Sequence, residues 1–333
     1  MGPCRQRPEE QKALFRNCLD VLDTPDGWLA VRFTPAQLDA YAAMGDAIGL
    51  RSRCVSGVKL AMRTDARRIR LRYTIKEQAR SWANFDVFVN GRFVDSVAAV
   101  ASADRDGEFV YDICNTSYVD SLQRLNRIDI YLPHLATLCV REIGVEGGDR
   151  LEPAEPASGR LLCMGDSITQ GMEAIRPSCS FPVMLSRMLG CEVVNQGVGS
   201  CRFDKRQLDP ACTYKPDTVI VGYGANDWEL SASLSECERK CSGFIDALSV
   251  QYANARRIVL TPIWRADIDD VQPMGTFGDL VRTIRSACGR QPDITVLDGL
   301  ELVPHQLAFY RDRGVHPNDE GFAHMAMNIL SRL

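Results

Sequence analysis

Residues 160–171 read RLLCMGDSITQG. Leu161, Leu162, Cys163 and Met164 run without polar interruption into Gly165, after which the chemistry changes at once to Asp166, Ser167 and Thr169. A short apolar run closed by glycine reads as a strand buried on both faces, as in the interior of a parallel sheet. Ser167 then stands at a turn from strand into helix, with glycines on either side allowing close backbone approach. The pattern is not the GxSxG nucleophile elbow, because Thr169 occupies the place of the second glycine. The expected fold therefore differs from that of the enzymes that carry the elbow.

Toward the C-terminus the same signature recurs in CEVVNQG (191–197), DTVIVGYG (217–224), RRIVLTPI (256–263) and DITVLDG (293–299). Between these runs lie amphipathic helical patterns. One places Leu234, Cys237, Cys241, Phe244, Ile245 and Leu248 on a single face, and the last, after Asn318, does so with Phe322, Met325, Ala326, Ile329 and Leu330. Five strands alternating with helices predict a doubly wound, flavodoxin-like three-layer αβα domain with a five-stranded parallel sheet. Its ligand site is expected beyond the strand C-termini.

Toward the N-terminus the period changes. In RIRLRYTI (68–75), Ile69, Leu71, Tyr73 and Ile75 alternate with Arg68, Arg70, Arg72 and Thr74, which is a strand with one buried face. The run FDVFVNGRFVDSV (85–97) is read as two strands around Asn90-Gly91, the pair that a type I′ turn favours because both central residues need positive φ. Further strands are expected in GEFVYDI, RIDIYLP and LCVREIGVEG, so this half reads as an antiparallel β-sandwich. It is preceded by helices expected over 8–22 and 35–45, with Pro35 suiting a first turn after Thr34. The segment DRLEPAEPASG (149–159) has the composition of a connector. Residues 1–150 are accordingly assigned to an N-terminal β-sandwich domain with a leading helical segment, and 151–333 to the α/β domain.

Four segments carry chemistry at the expected ligand-binding edge. The first strand delivers Ser167. The second ends in NQGVGS, where Gly199 and Ser200 could turn backbone N–H groups toward the same point, and the third ends in GYGANDW, where the amide of Asn226 can donate to a developing oxyanion. Before the last helix, DRGVHPN places His316 on a loop with Asn318 as its helix cap.

The ordered blocks GDSITQG, NQGVGS, GAND and HPN, over roughly residues 160–333, resemble the SGNH (GDSL-type) hydrolase family. The resemblance implies a serine esterase or acyltransferase. Ser167 would be the nucleophile and an oxyanion donor, Asn226 and the Gly199–Ser200 turn further donors, and His316 the base. Two departures stand out. Where the family's DxxH pattern has an acid three residues before the histidine, this chain has Arg313. The nearest carboxylate, Asp312, is four before and would need a one-residue bulge to serve; a backbone carbonyl orienting His316 is the alternative. Ser200 also takes the place of the family's usual glycine. The layout ahead of the blocks is similar to the jelly-roll-like sandwich of some carbohydrate-esterase members, implying an O-acetylated sugar or oligosaccharide ester as substrate, with no cofactor or metal. Asp166, Trp228, Trp264 and Arg265 are the expected substrate contacts.

Bulk properties bound the rest. A chain of 333 residues with 45% hydrophobic content suits two cores, and a net charge of -4 gives no general attraction to nucleic acid or anionic lipid. Thirteen cysteines without a CxxC pair argue for reduced thiols, and Cys237 and Cys241 are read as buried helix residues and not as ligands. The opening MGPCRQRPEEQKALF lacks a signal-like apolar stretch and no run reaches spanning length, so no membrane partner and a cytoplasmic location are expected. His134, His305 and His324 read as structural, and Arg68, Arg70 and Arg72 as a solvent face. Ser56–Lys59 matches SxxK by chance, since no KTG accompanies it. Hydrolysis, acyl transfer to an alcohol, and a carbohydrate-binding protein with a decayed site remain the competing functions.

Overall fold

The computed structural model describes residues 8–100, 105–119, 125–291 and 293–333, so the charged opening of the chain lies outside the described residues. They divide into two compact units. The first takes residues up to Arg32, Arg53–Pro156 and Ile175–Ser178; the second takes Phe33–Ser52, Ala157–Ala174 and Cys179–Leu333.

The first unit begins with α1 (Pro8–Lys12), β1 (Phe15–Arg16), β2 (Asp20–Thr24) and β3 (Gly27–Val31). The helix expected over 8–22 therefore ends at Lys12. Phe15 pairs with Leu60, Asn17 takes a left-handed φ of 66°, and Asp20–Thr24 folds back on β3 through a turn closed by Gly27 at φ 113°. After these come β4 (Lys59–Thr64), β5 (Arg68–Gln78), β6 (Asn84–Val89), β7 (Arg92–Ala98), β8 (Asp106–Asp112), β9 (Asn126–Tyr131), β10 (Ala136–Glu146) and β11 (Leu151–Pro153). One antiparallel sheet runs β1-β4-β9-β6-β7, with β11 added beside β4, and the other runs β2-β3-β10-β5-β8.

Ile69, Leu71, Tyr73 and Ile75 of β5 share one core with Leu60 and Met62 of β4 and Phe85, Val87 and Val89 of β6, which makes the unit a sandwich. The turn between β6 and β7 has Asn90 at φ 48° and Gly91 at φ 78°, both positive as the sequence required. On the outer face Arg68, Arg70 and Arg72 pair with Asp112, Glu146, Glu108 and Glu142 of the neighbouring strands. That face is a ladder of opposite charges and not a basic strip. The connector is shorter than its composition suggested, because Leu151 is buried and β11 pairs with β4.

In the second unit, α2 (Pro35–Ala43) starts on a capping box between Thr34 and Gln37, and α3 (Asp46–Arg53) follows. These helices, grouped by the sequence with the N-terminal domain, lie in the α/β unit up to Ser52. Then come β12 (Gly159–Gly165), α4 (Ser167–Gln170), α5 (Phe181–Leu189), β13 (Cys191–Gly197), β14 (Thr218–Gly222), α6 (Ala225–Leu230), α7 (Leu234–Gln251), β15 (Arg256–Leu260), a short hairpin of β16 (Val271–Gln272) and β17 (Gly275–Thr276), α8 (Phe277–Gly289), β18 (Ile294–Leu297), a second hairpin of β19 (Tyr310–Asp312) and β20 (His316–Pro317), and α9 (Asp319–Leu330). The five long strands are all parallel in the order β13-β12-β14-β15-β18, the flavodoxin-like order.

Leu161, Cys163, Val193, Ile220, Ile258 and Leu260 point to one face, where Phe181 and Leu185 of α5 and Phe322, Met325 and Ile329 of α9 cover them. Leu162, Val219, Val221 and Val259, on the alternate positions, are equally buried, as are Cys237, Cys241, Phe244 and Leu280 of α7 and α8. Among the described residues every cysteine is a free thiol, and no helix is long and apolar enough to cross a membrane.

Candidate active site

The parallel register brings three strand ends level, with Gly165 opposite both Gly197 and Gly222. Asp166 caps α4 by accepting the Ile168 N–H at 3.0 Å, and Gly171, at φ 88°, stops the helix after one turn. Ser167 is thus the first helical residue, and its N–H belongs to the first-turn donors that no helical carbonyl can satisfy. The glycines let α4 sit directly on the strand ends. A Cβ on Gly165 would come 2.1 Å from Thr169 Oγ1, and one on Gly197 would come 2.2 Å from the Gln170 nitrogen.

The hairpin of β19 and β20 brings the base to this point. His316 Nε2 lies 2.7 Å from Ser167 Oγ, and His316 Nδ1 lies 2.5 Å from Asp312 Oδ2. The other oxygen of Asp312 accepts the His316 N–H at 2.7 Å. The extra residue between acid and histidine is absorbed by a register shift between Tyr310 and Asp312 and by a tight turn with Arg313 at φ 33° and Gly314 at φ 76°. A carboxylate, and not a backbone carbonyl, faces the imidazole. Burial works to raise the Asp312 carboxyl, but the hydrogen bonds and charge of His316 outweigh it and hold the group below the usual carboxylate range.

On the opposite side, Ser200 takes φ 70°, the left-handed conformation needed at that turn. Of the two backbone donors expected there, only that of Ser200 is left without a protein partner. The Gly199 N–H is bound to Gln170 Oε1 at 2.8 Å, which corrects its assignment as an oxyanion donor. Asn226 donates one amide hydrogen to the Cys201 carbonyl at 3.0 Å, which ties it to the Ser200 turn and leaves its second hydrogen for a ligand. Ser167, His316, Asp312, Ser200 and Asn226 are all partly exposed.

The expected substrate contacts fare differently. Asp166 is buried beneath α4, where burial pushes its carboxyl up to about 6 against the pull of the Ile168 N–H, so it caps a helix and does not face ligand. Trp228 is fully buried, donating Nε1–H to the Gly275 carbonyl at 3.0 Å and meeting Phe277 edge-on, so it is core. Arg265 is also buried. It lies over the Trp228 ring and is engaged by Asp267 at 2.5 Å and 2.7 Å and by Glu229 at 3.5 Å, which leaves it structural. Trp264 stays partly exposed, stacked on His305 and braced by Tyr310, whose hydroxyl donates to its carbonyl at 2.8 Å.

Two supporting residues were not singled out in the sequence. Gln170 braces Gly199, and Asp227, buried and pushed up to about 7, accepts the Phe203 N–H at 3.2 Å from each oxygen. The signal for Asp227 was a carboxylate at the buried start of a helix right after Asn226, which demands a partner.

Residues 163–324 match the model of the GDSL-like lipase/acylhydrolase family. No curated protein matches the chain. Among solved structures it is similar to the salicylyl-acyltransferase SsfX3 from a tetracycline biosynthetic pathway, at 18% identity over 95% of this chain and 92% of that one, with TM-score 0.78. It is similar to a GDSL-like lipase from Bacteroides ovatus at 17% identity over 99% and 96%, with TM-score 0.73. A family two carbohydrate esterase from Clostridium thermocellum, in complex with cellohexaose, is similar at 14% identity over 84% and 92%, with TM-score 0.60. At these identities the likeness is one of fold.

Proposed function

We propose that the protein, whose residues 163–324 match the GDSL-like lipase/acylhydrolase model, is a carboxylic ester hydrolase that removes a small acyl group, acetyl in the first instance, from an O-acylated carbohydrate through an acyl-enzyme on Ser167. The observation that carries this reading is the continuous chain of contacts from Asp312 through His316 to Ser167 Oγ, at 2.5 Å and 2.7 Å. With Asp312 accepting from Nδ1, the lone pair of Nε2 faces the hydroxyl. His316 takes the serine proton as Oγ attacks the ester carbonyl, then gives it to the departing alcohol oxygen. The N–H groups of Ser167 and Ser200 and the amide of Asn226 receive the negative oxygen. Water, deprotonated by the same imidazole, then releases the acid. The sugar assignment is supported by the two-unit likeness to a carbohydrate esterase and by Trp264, a partly exposed aromatic side chain of the kind that contacts sugar rings.

Ser167→Ala is expected to lower turnover of p-nitrophenyl acetate by about a thousandfold or more. Unchanged turnover would end the reading. Acetylated xylan fragments, acetylated monosaccharides and longer acyl esters compared at equal concentration decide the alcohol and the acyl length. A second reading, transfer of the acyl group to an alcohol, is supported by the likeness to a salicylyl-acyltransferase over 95% of the chain. Acylated sugar formed when alcohol acceptors are added favours transfer, and release to water alone opposes it.

A further inference from the structure

Residues 33–52 lie far from the catalytic blocks in sequence yet pack in the same unit. From α3, Arg51 Nη1 donates to Ser200 Oγ at 2.6 Å and to the Gly199 carbonyl at 3.3 Å. The Arg51 carbonyl in turn accepts from Gln170 Nε2 at 2.8 Å, and Gln170 Oε1 accepts the Gly199 N–H at 2.8 Å. Gln170 ends the helix that Ser167 begins. The nucleophile helix, α3 and the turn after β13 are therefore closed into one ring of hydrogen bonds.

We propose that Arg51 is a positioning residue for the oxyanion hole. It grips the Ser200 hydroxyl and so fixes residue 200 in the conformation that presents its N–H to the carbonyl oxygen of an ester bound at Ser167. The inference rests on the acyl-enzyme reading above. Its physical basis is the φ of 70° at Ser200, which glycine adopts freely and a residue with a Cβ does not. At a serine the conformation needs an anchor, and Arg51 holds the one polar atom that glycine lacks. The bond is charge-assisted and at the short end of the range, so it is among the stronger kinds available. Because Gln170 occupies the Gly199 N–H, the next peptide is left as the donor. A donor fixed before the substrate arrives needs no reorganisation when the oxyanion forms.

The test is kcat and KM on p-nitrophenyl acetate for Arg51→Ala, Ser200→Ala, the double Arg51→Ala/Ser200→Ala and the double Arg51→Ala/Ser200→Gly, each checked for folding by thermal melting. Arg51→Ala is expected to lose about tenfold to a hundredfold in kcat with KM changed by less than about threefold, a fraction of the loss for removing an oxyanion donor outright. Ser200→Ala should lose a similar factor, and the alanine double should fall no further than either single. The glycine double should regain at least about fivefold over Arg51→Ala, because glycine needs no anchor at that φ. Should Arg51→Ala not fold, Ser200→Ala, which leaves the arginine in place, carries the test through its kcat loss. An unaltered kcat, a loss in KM alone, or a kcat loss that glycine does not relieve would overturn the inference. Turnover that survives Ser167→Ala would overturn the parent reading. Turnover that needs Ser167 but ignores Arg51 and Ser200 would overturn only this one.

Discussion

His316 makes hydrogen bonds through its own N–H, Nδ1 and Nε2, and two of them end on Asp312. A single carboxylate thus fixes both the backbone and the ring of the base, so its charge is needed and its shape alone is not enough. Asp312→Asn keeps the shape but removes the charge that favours a proton on Nδ1. It is expected to lower kcat on p-nitrophenyl acetate by about a hundredfold to ten-thousandfold with the fold intact. A loss below about threefold would mean that His316 works without its acid. The sequence brought the serine, the imidazole and the amide to one edge, because Ser167 and Asn226 each follow a strand and His316 stands on the loop before the last helix. It left the acid open, because spacing counts residues and not the bulge and left-handed turn that bring Asp312 level with His316. Trp228 and Arg265 were misassigned for a related reason: proximity in sequence to Asn226 and to a strand end says nothing about which way a side chain points. Here Trp228 points into the packing between α6, α8 and the β16–β17 hairpin, and Arg265 lies over its ring, held by Asp267 and Glu229.

At the scale of elements, the site exists because α4 presses onto the ends of β12 and β13. Glycine is the residue that permits it. Gly197→Ala would place a Cβ against the backbone of Thr169 and Gln170, which has no rotamer to give, and should cost at least about 2 kcal/mol in urea unfolding as well as displacing Ser167. The same replacement at Gly243, inside α7 with nothing within 4 Å of the new Cβ, should stabilise by about 0.5–1 kcal/mol. Opposite signs for one chemical change separate close packing from helix propensity. The elements the sequence predicted best are those specified locally or by a strong period: the Asn90-Gly91 hairpin, the alternation of β5 and the five apolar runs. The helix expected over 8–22 was lost to partners remote in sequence, Leu60 for Phe15 and Gly57 for Asn17, which no local pattern reveals. Thr24-Pro25-Asp26-Gly27 was the available warning, since a turn of that composition favours a hairpin.

Across the whole molecule, the catalytic unit is discontinuous in sequence, taking residues 33–52 together with 157–174 and 179–333. Composition could indicate two cores but not that one segment crosses between them, because α2 carries a capping box that would suit either context. The unit also holds two carboxylates whose burial opposes their ionisation, Asp227 pushed up to about 7 and Asp166 to about 6. In the unfolded chain both titrate at the ordinary value near 3.8. Between that value and about 7 the native state therefore binds more protons than the unfolded state, so these groups make stability fall as pH rises through that window. Asp312 acts in the opposite sense: held below its ordinary value, it contributes stability above that value, lost as pH falls through its native one. Asp227→Asn keeps an oxygen for the Phe203 N–H and removes the charge that forms above about 7. Its melting temperature is expected to change less between pH 5 and pH 8 than that of the unsubstituted protein. The variant should gain on the order of a few kcal/mol relative to it at the upper end. Parallel pH profiles for the two proteins would show that Asp227 is not proton-linked to folding, and that its bond to Phe203 is the whole of its role.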